Sequence, residues 1–180
     1  MGNTKILLEN LERRGIKAEA TIIAEGLLKL VRFVDLVAVS RFDVAENFKE
    51  GNIVGGRKIG WVGPVFIDKY YGLVEEEVPA RTIPIWELVN SSLDPPVMHI
   101  LGGVDDQKTQ THLAHTFQLM ELGERGFGRL DGYANFSYKR SRGGELWVPG
   151  WGVDGDELHV EAYSSSRRRE WAGGRRVSGG

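Results

Sequence analysis

The chain has 180 residues, 41% hydrophobic and 27% charged, with 23 Lys+Arg against 25 Asp+Glu, a formal net charge of -2 and no cysteine. A chain of this length can bury one core of its own, and the absence of cysteine excludes a disulfide scaffold, zinc-thiolate and iron-sulfur sites and thiol catalysis. Taking the five Arg and one Glu of Arg167–Arg176 out of these totals leaves 18 Lys+Arg against 24 Asp+Glu, an acidic body with a basic end.

In chain order, Ile6, Leu7, Leu8 and Leu11 recur at helical spacing ahead of Arg13-Arg14-Gly15 and predict a short first helix. Ile22, Ile23, Leu27, Leu30, Val31, Val34 and Val37 continue the 3.6-residue period and predict a second. Although this stretch is the most apolar in the chain, Glu25, Lys29, Arg32 and Asp35 interrupt it, and each would cost several kcal/mol in mid-bilayer. No membrane span is expected, and with no secretion signal at the start the expected location is cytoplasmic.

After Phe48, Glu50-Gly51-Asn52 and Gly55-Gly56 supply turns between the strand formers Ile53, Val54, Ile59, Trp61, Val65, Phe66 and Ile67, predicting a hairpin between Asn52 and Tyr71. Pro79 and Pro84 bracket an irregular segment, and Ile85 to Asn90 is expected to form a helical turn or two before Asp94-Pro95-Pro96 stops it. Four sequential strands are predicted in the second half: Val97 to Val104, Thr109 to Met120, Arg129 to Arg140 and Glu145 to Trp151. Residues 164–180, rich in Ser, Gly and Arg, are expected to be a disordered basic tail on a single domain of residues 1–163. Helices followed by an antiparallel sheet make an α+β fold, the helices closing the mouth of a bent sheet.

With thiols excluded, chemistry falls to His, carboxylates and hydroxyls. On a strand, Thr111, Leu113, His115, Phe117 and Leu119 share one face and His112 lies on the other. His115 therefore sits among apolar residues, where a hydrogen-bonded core histidine is the commoner outcome. His99 on the preceding strand and Asn135 on the following one can aim with it into one concavity. Tyr133, Asn135 and Ser137 form a polar face. His112 and His115 point apart on a strand and no helical HExxH is present, so no metal is expected; EGNIVGGRKIG lacks the ending of a P-loop.

The run DPPVMHILGG, then THLAHTFQ, GYANFSYKR and GGELWVPGW, resembles the second half of the scytalone dehydratase and SnoaL-like group within the NTF2-like fold, over residues 94–151. The resemblance implies N-terminal helices on a strongly curved sheet, the NTF2-like cone, with His99 and His115 matching the group's two active-site histidines and Asn135 its active-site asparagine. Tyr133 stands where the group has a serine, Asp43 matches a helix-ending aspartate, and the tyrosines and aspartate that the dehydratases place on the N-terminal helix and first strand have no clear counterpart; Asp35, Tyr70 and Tyr71 are candidate substitutes.

The implied function is a cofactor-independent lyase or isomerase, dehydratase- or cyclase-like, acting on a small cyclic, polyketide-like molecule. His115 would act as acid and base with His99 and Asn135, against Tyr133, Ser137, Asp43, Tyr70, Phe117 and Trp147 as substrate contacts. The alternative is a non-enzymatic binding or assembly module of the same fold, with a homo-oligomer formed through the sheet in either case. A third reading has Arg167, Arg168, Arg169, Arg175, Arg176 and Trp171 grip nucleic acid, against a merely solubilising tail.

Overall fold

The computed structural model of the chain describes residues 23–107, 109–126, 128, 130–131, 134–166 and 170–179. The expected first helix and the residues Tyr133 and Arg167 to Arg169 lie outside these. The described elements are β1 (Ile23–Ala24), β2 (Leu28–Leu36), β3 (Val39–Asp43), α1 (Val44–Asn47), β4 (Ile53–Val54), β5 (Arg57–Val62), α2 (Pro64–Tyr70), β6 (Val74–Val78) and β7 (Arg81–Leu88). There follow α3 (Asp94–Leu101), α4 (Leu113–Leu122) with a 3-10 turn (Gly123–Gly126), β8 (Asn135–Ser137), β9 (Lys139–Arg140), β10 (Leu146–Asp154), β11 (Glu157–Ser164) and β12 (Arg176–Ser178).

Ten strands form one sheet in the order β1-β2-β7-β12-β8-β10-β11-β5-β4, with β9 on β10, and β3 pairs with β6 apart from it. Most neighbours are antiparallel; β11 with β5 and β12 with β8 are parallel. This is a mixed α+β fold dominated by a large sheet, as the sequence implied, and the sheet is not strongly curled.

Alternate residues of the strands feed opposite faces. On β7, Trp86 and Leu88 join Val97 and Leu101 of α3 in one core, whereas Ile83 and Ile85 meet Leu119 of α4 in another. The largest core gathers Val44 of α1, Phe66 and Tyr70 of α2 and Leu113 and Met120 of α4 against Ile59, Leu158 and Val160.

Several expectations are corrected. The second helix is the strand β2. Its register on β7 shifts between Leu30 and Arg32, so Leu28 joins one core and Val34 and Leu36 the other. A bulge that turns a strand over breaks its strict alternation, and here the result imitates a helical period. Ile85 to Asn90 is likewise not helical, because β7 is strand as far as Leu88.

The reverse error holds at Val97–Val104 and Thr109–Met120, which are largely the helices α3 and α4. Pro95 and Pro96 start α3 rather than stopping a chain segment, since proline in a first turn forfeits only an N–H that has no helical partner. Asp94, Val97, Met98 and Leu101 are its buried residues, a spacing only a helix puts on one side. Within the expected hairpin, β4 and β5 do pair, and Gly55 and Gly56 have the positive φ (58° and 83°) of a primed two-residue turn. Its second half, Pro64 to Tyr70, is the helix α2.

The tail is corrected as well. β12 lies between β7 and β8, joining the two halves of the sheet. Trp171 has no exposed surface and stacks on Phe136 with ring centroids 4.2 Å apart and planes at 6°. Its Nε1–H donates to Asp94 Oδ1 at 2.8 Å. These partners lie far away in sequence, so composition alone gives no sign of them.

Candidate functional site

The polar cluster of the molecule is assembled by β6, α4 and β9. His112 occupies the N-cap of α4 but makes no side-chain cap, which leaves the first N–H groups of the helix in need of an acceptor. Glu75 of β6 provides it, its Oε2 accepting from the Ala114 N–H at 2.9 Å. The other oxygen, Oε1, lies 3.2 Å from His112 Nδ1 and also accepts the Lys139 ammonium. The preceding residue, Tyr138, holds the approach to α4 through its carbonyl, which accepts from Thr111 N–H at 2.9 Å.

Burial pushes the Glu75 carboxyl up, but the His112 hydrogen bond, the Lys139 charge and the Ala114 N–H together outweigh it and hold the group down at about 2. Glu75 is therefore an anion at neutral pH and can only accept, so His112 donates from Nδ1 and presents Nε2 as its second nitrogen. The Glu75 side chain is 5% exposed, whereas that of His112 is 38% exposed.

His112 and Lys139 open onto a cleft of about 700 Å³ that Arg81, Arg140, Gln110 and Asp105 also line. Arg81 Nη1 donates to the Gln110 carbonyl at 2.9 Å, and Arg140 Nη2 reaches Asp105 Oδ1 at 3.3 Å. Size and mixed polar lining suit a small molecule. Among the described residues no three His, Asp or Glu side chains gather as a metal site would require.

The expected triad is not brought together. His115 is wholly buried on α4, and both ring nitrogens lack a hydrogen bond of ordinary geometry. Burial, with the neighbouring His112 ring 5.6 Å away, pushes its pKa down to about 4, against a weaker upward pull from the Pro79 backbone. His99 is exposed in the last turn of α3. Asn135 is buried in β8 and donates from Nδ2 to the Trp151 carbonyl at 3.4 Å. With Ser137 and Thr116, whose hydroxyls lie 3.3 Å apart, it lines a cavity of about 20 Å³, enough for a single water.

The expected substrate contacts have structural employment. Asp43 does not end a helix but begins one, its Oδ1 accepting from Ala45 and Glu46 N–H at 3.1 and 3.3 Å. Tyr70 is fully buried, donates its hydroxyl to the Lys139 carbonyl at 3.2 Å, and is pushed up by burial and by Glu75. Phe117 packs between Phe42 and Phe48 at 5.5 and 5.4 Å, and Trp147 lies under the Lys69 ammonium at 4.7 Å. Trp171 is likewise not available to stack on a base, while Arg175 lies over its ring and Arg176 pairs with Glu87 at 2.5 Å.

Sequence reasoning passes over His112 because a strand at Thr109–Met120 turns it away from His115. On the observed helix the two rings are neighbours. It passes over Glu75 because Glu75-Glu76-Glu77 has the look of a solvated charge run. No protein-family model, no curated protein and no solved structure matches this chain.

Proposed function

We propose that the chain is a cofactor-independent proton-transfer enzyme, a lyase or isomerase, with His112 as acid and base and Glu75 as its positioning residue. The observation that carries this is the 3.2 Å contact of His112 Nδ1 with a buried, ionised Glu75 at the wall of a ligand-sized cleft. Glu75 fixes the ring and its tautomer, so Nε2 can remove a proton from carbon beside a carbonyl and return it to a departing hydroxyl. Arg81 lines the same cleft and can donate to the developing enolate oxygen.

Histidine-mediated elimination on a small cyclic, polyketide-like molecule is what the resemblance to the scytalone dehydratase and SnoaL-like group implies, and that chemistry is carried over here with different residues. No NTF2-like cone is needed for it. A second reading, a binding or assembly module that forms a homo-oligomer through its sheet, is favoured by one observation: Glu75 also caps α4 and secures Lys139, which gives the cluster a structural reason to exist.

Deuterium uptake from heavy water into a panel of cyclic β-hydroxy ketones, followed by mass spectrometry, separates the two. The enzyme reading expects exchange by the native chain, a loss of about 100-fold or more in His112→Gln, and near-native exchange in His115→Gln. Absence of exchange by the native chain, or its persistence in His112→Gln, leaves the binding module.

A further inference from the structure

Among the described residues the cleft is lined by three Lys and Arg side chains, and they differ in how firmly each is already satisfied. Lys139 is matched by Glu75, a carboxylate with only 5% of its side chain exposed. Arg81 donates to the Gln110 carbonyl and has the charge of Asp106 beside it. Arg140 is different. Its Nη1 donates to the Gly144 carbonyl at 2.8 Å, which sets the plane of the guanidinium, and its Nη2 makes one 3.3 Å contact with Asp105.

The Asp105 side chain is 97% exposed and that of Arg140 is 42% exposed. A single-contact pair at such exposure contributes little, so exchanging Asp105 for another carboxylate costs little. A planar carboxylate entering the cleft can take two donors of one guanidinium where Asp105 takes one, and charge-assisted bonds of that kind are the stronger sort. Both residues of the pair line the cleft.

From this pair we infer that the cleft takes a small organic carboxylate, held by Arg140, and that Asp105 is its internal competitor. This deepens the reading above and rests on the same cleft being the working site. Asp105 occupies the position that the ligand's carboxylate takes, so the two side chains have opposite effects on affinity: removing the competitor tightens binding, and removing the cation loosens it. A purely structural ion pair would give the same sign for both.

Calorimetric titration of the full chain with benzoate, with benzamide as the uncharged isostere, tests this. Expected are benzoate binding that weakens with added salt, a gain of about three- to fivefold in Asp105→Asn, a loss of about tenfold or more in Arg140→Gln, and an intermediate value in Arg140→Lys. Benzamide binding as tight as benzoate binding, equal affinity in all variants, or no benzoate binding by either the native chain or Asp105→Asn at millimolar concentration overturns it. Because Asp105 is exposed, its variant reports on binding without the ambiguity of a folding defect. Failure of the deuterium exchange with this benzoate pattern intact counts against the enzyme alone, and the converse result counts against the carboxylate alone.

Discussion

Among the described residues two buried carboxylates stand at helix N-termini, and only one of them has partners that line a cleft. Asp94 sits in the first turn of α3 with no exposed surface, its Oδ1 accepting from Tyr138 Oη–H and Trp171 Nε1–H, both at 2.8 Å. Glu75 reaches from β6 to the first turn of α4, and its partners include His112 and Lys139, which face the cleft. Each carboxyl lies at the positive end of a helix. What separates them is the next layer of side chains: two interior aromatic groups around Asp94, and two titratable groups that reach solvent around Glu75. A buried carboxylate becomes available for chemistry only when one of its partners also has an open side.

The sharpest way to break this comparison is to attack the aromatic side of Asp94. Trp171→Ala should cost about 3–5 kcal/mol, the usual range for deleting a fully buried tryptophan, measured by urea unfolding. A loss below about 1 kcal/mol would mean that the C-terminal segment contributes little to the fold. The acid limb of the stability curve comes next. Glu75 is held below its unfolded value of 4.5, at about 2, so its contribution is present above pH 4.5 and is lost as pH falls toward 2, about 3 kcal/mol in all.

His115 acts over an earlier window. Its folded value of about 4 lies below the unfolded 6.5, so as pH falls from 6.5 the unfolded chain binds a proton that the folded chain refuses. Stability drops between pH 6.5 and 4 and levels off below, and His115→Leu should remove that first limb while leaving the Glu75 limb in place. Unfolding curves recorded from neutral pH down to the Glu75 value of about 2 resolve the two windows. A single limb in the native chain would contradict the assignment.

Asp94→Asn and Glu75→Gln make the smallest and most specific contrast. In Asp94→Asn the amide oxygen of the new side chain can still accept from both donors, so the loss should be about 1–2 kcal/mol, and the pH profile of any exchange activity should not move. Glu75→Gln should shift that profile, because it removes the group that sets the His112 tautomer. An altered profile in Asp94→Asn would erase the distinction between the two sites.

The helix and strand assignments show where sequence patterns run out. In Thr109 to Met120 the odd positions Leu113, Phe117 and Leu119 satisfy a two-residue period, while the buried set Leu113, Ala114, His115, Thr116, Leu119 and Met120 includes the i, i+3 and i, i+4 pairs of a helical one. Nothing local decides between them. Glu75 contributes to the decision by capping the helix from 39 residues away. β2 fails in the opposite sense, since its register shift on β7 lets one strand serve two cores. Trp171 reads as part of a tail because its neighbours in sequence are polar; its neighbours in space are Phe136, Tyr163 and Asp94.

By itself the sequence determined the absence of thiol chemistry, the Gly55-Gly56 hairpin and the strand expected at Glu145–Trp151, which is observed over Leu146–Asp154, because each depends on residue type or on dihedral freedom over a few positions. Only the tertiary structure decided which histidine meets a cleft. That choice turns on whether residues 113–122 advance by about 100° or by about 180° per residue and on a glutamate 37 positions upstream of His112, and neither is encoded within the reach of a local pattern.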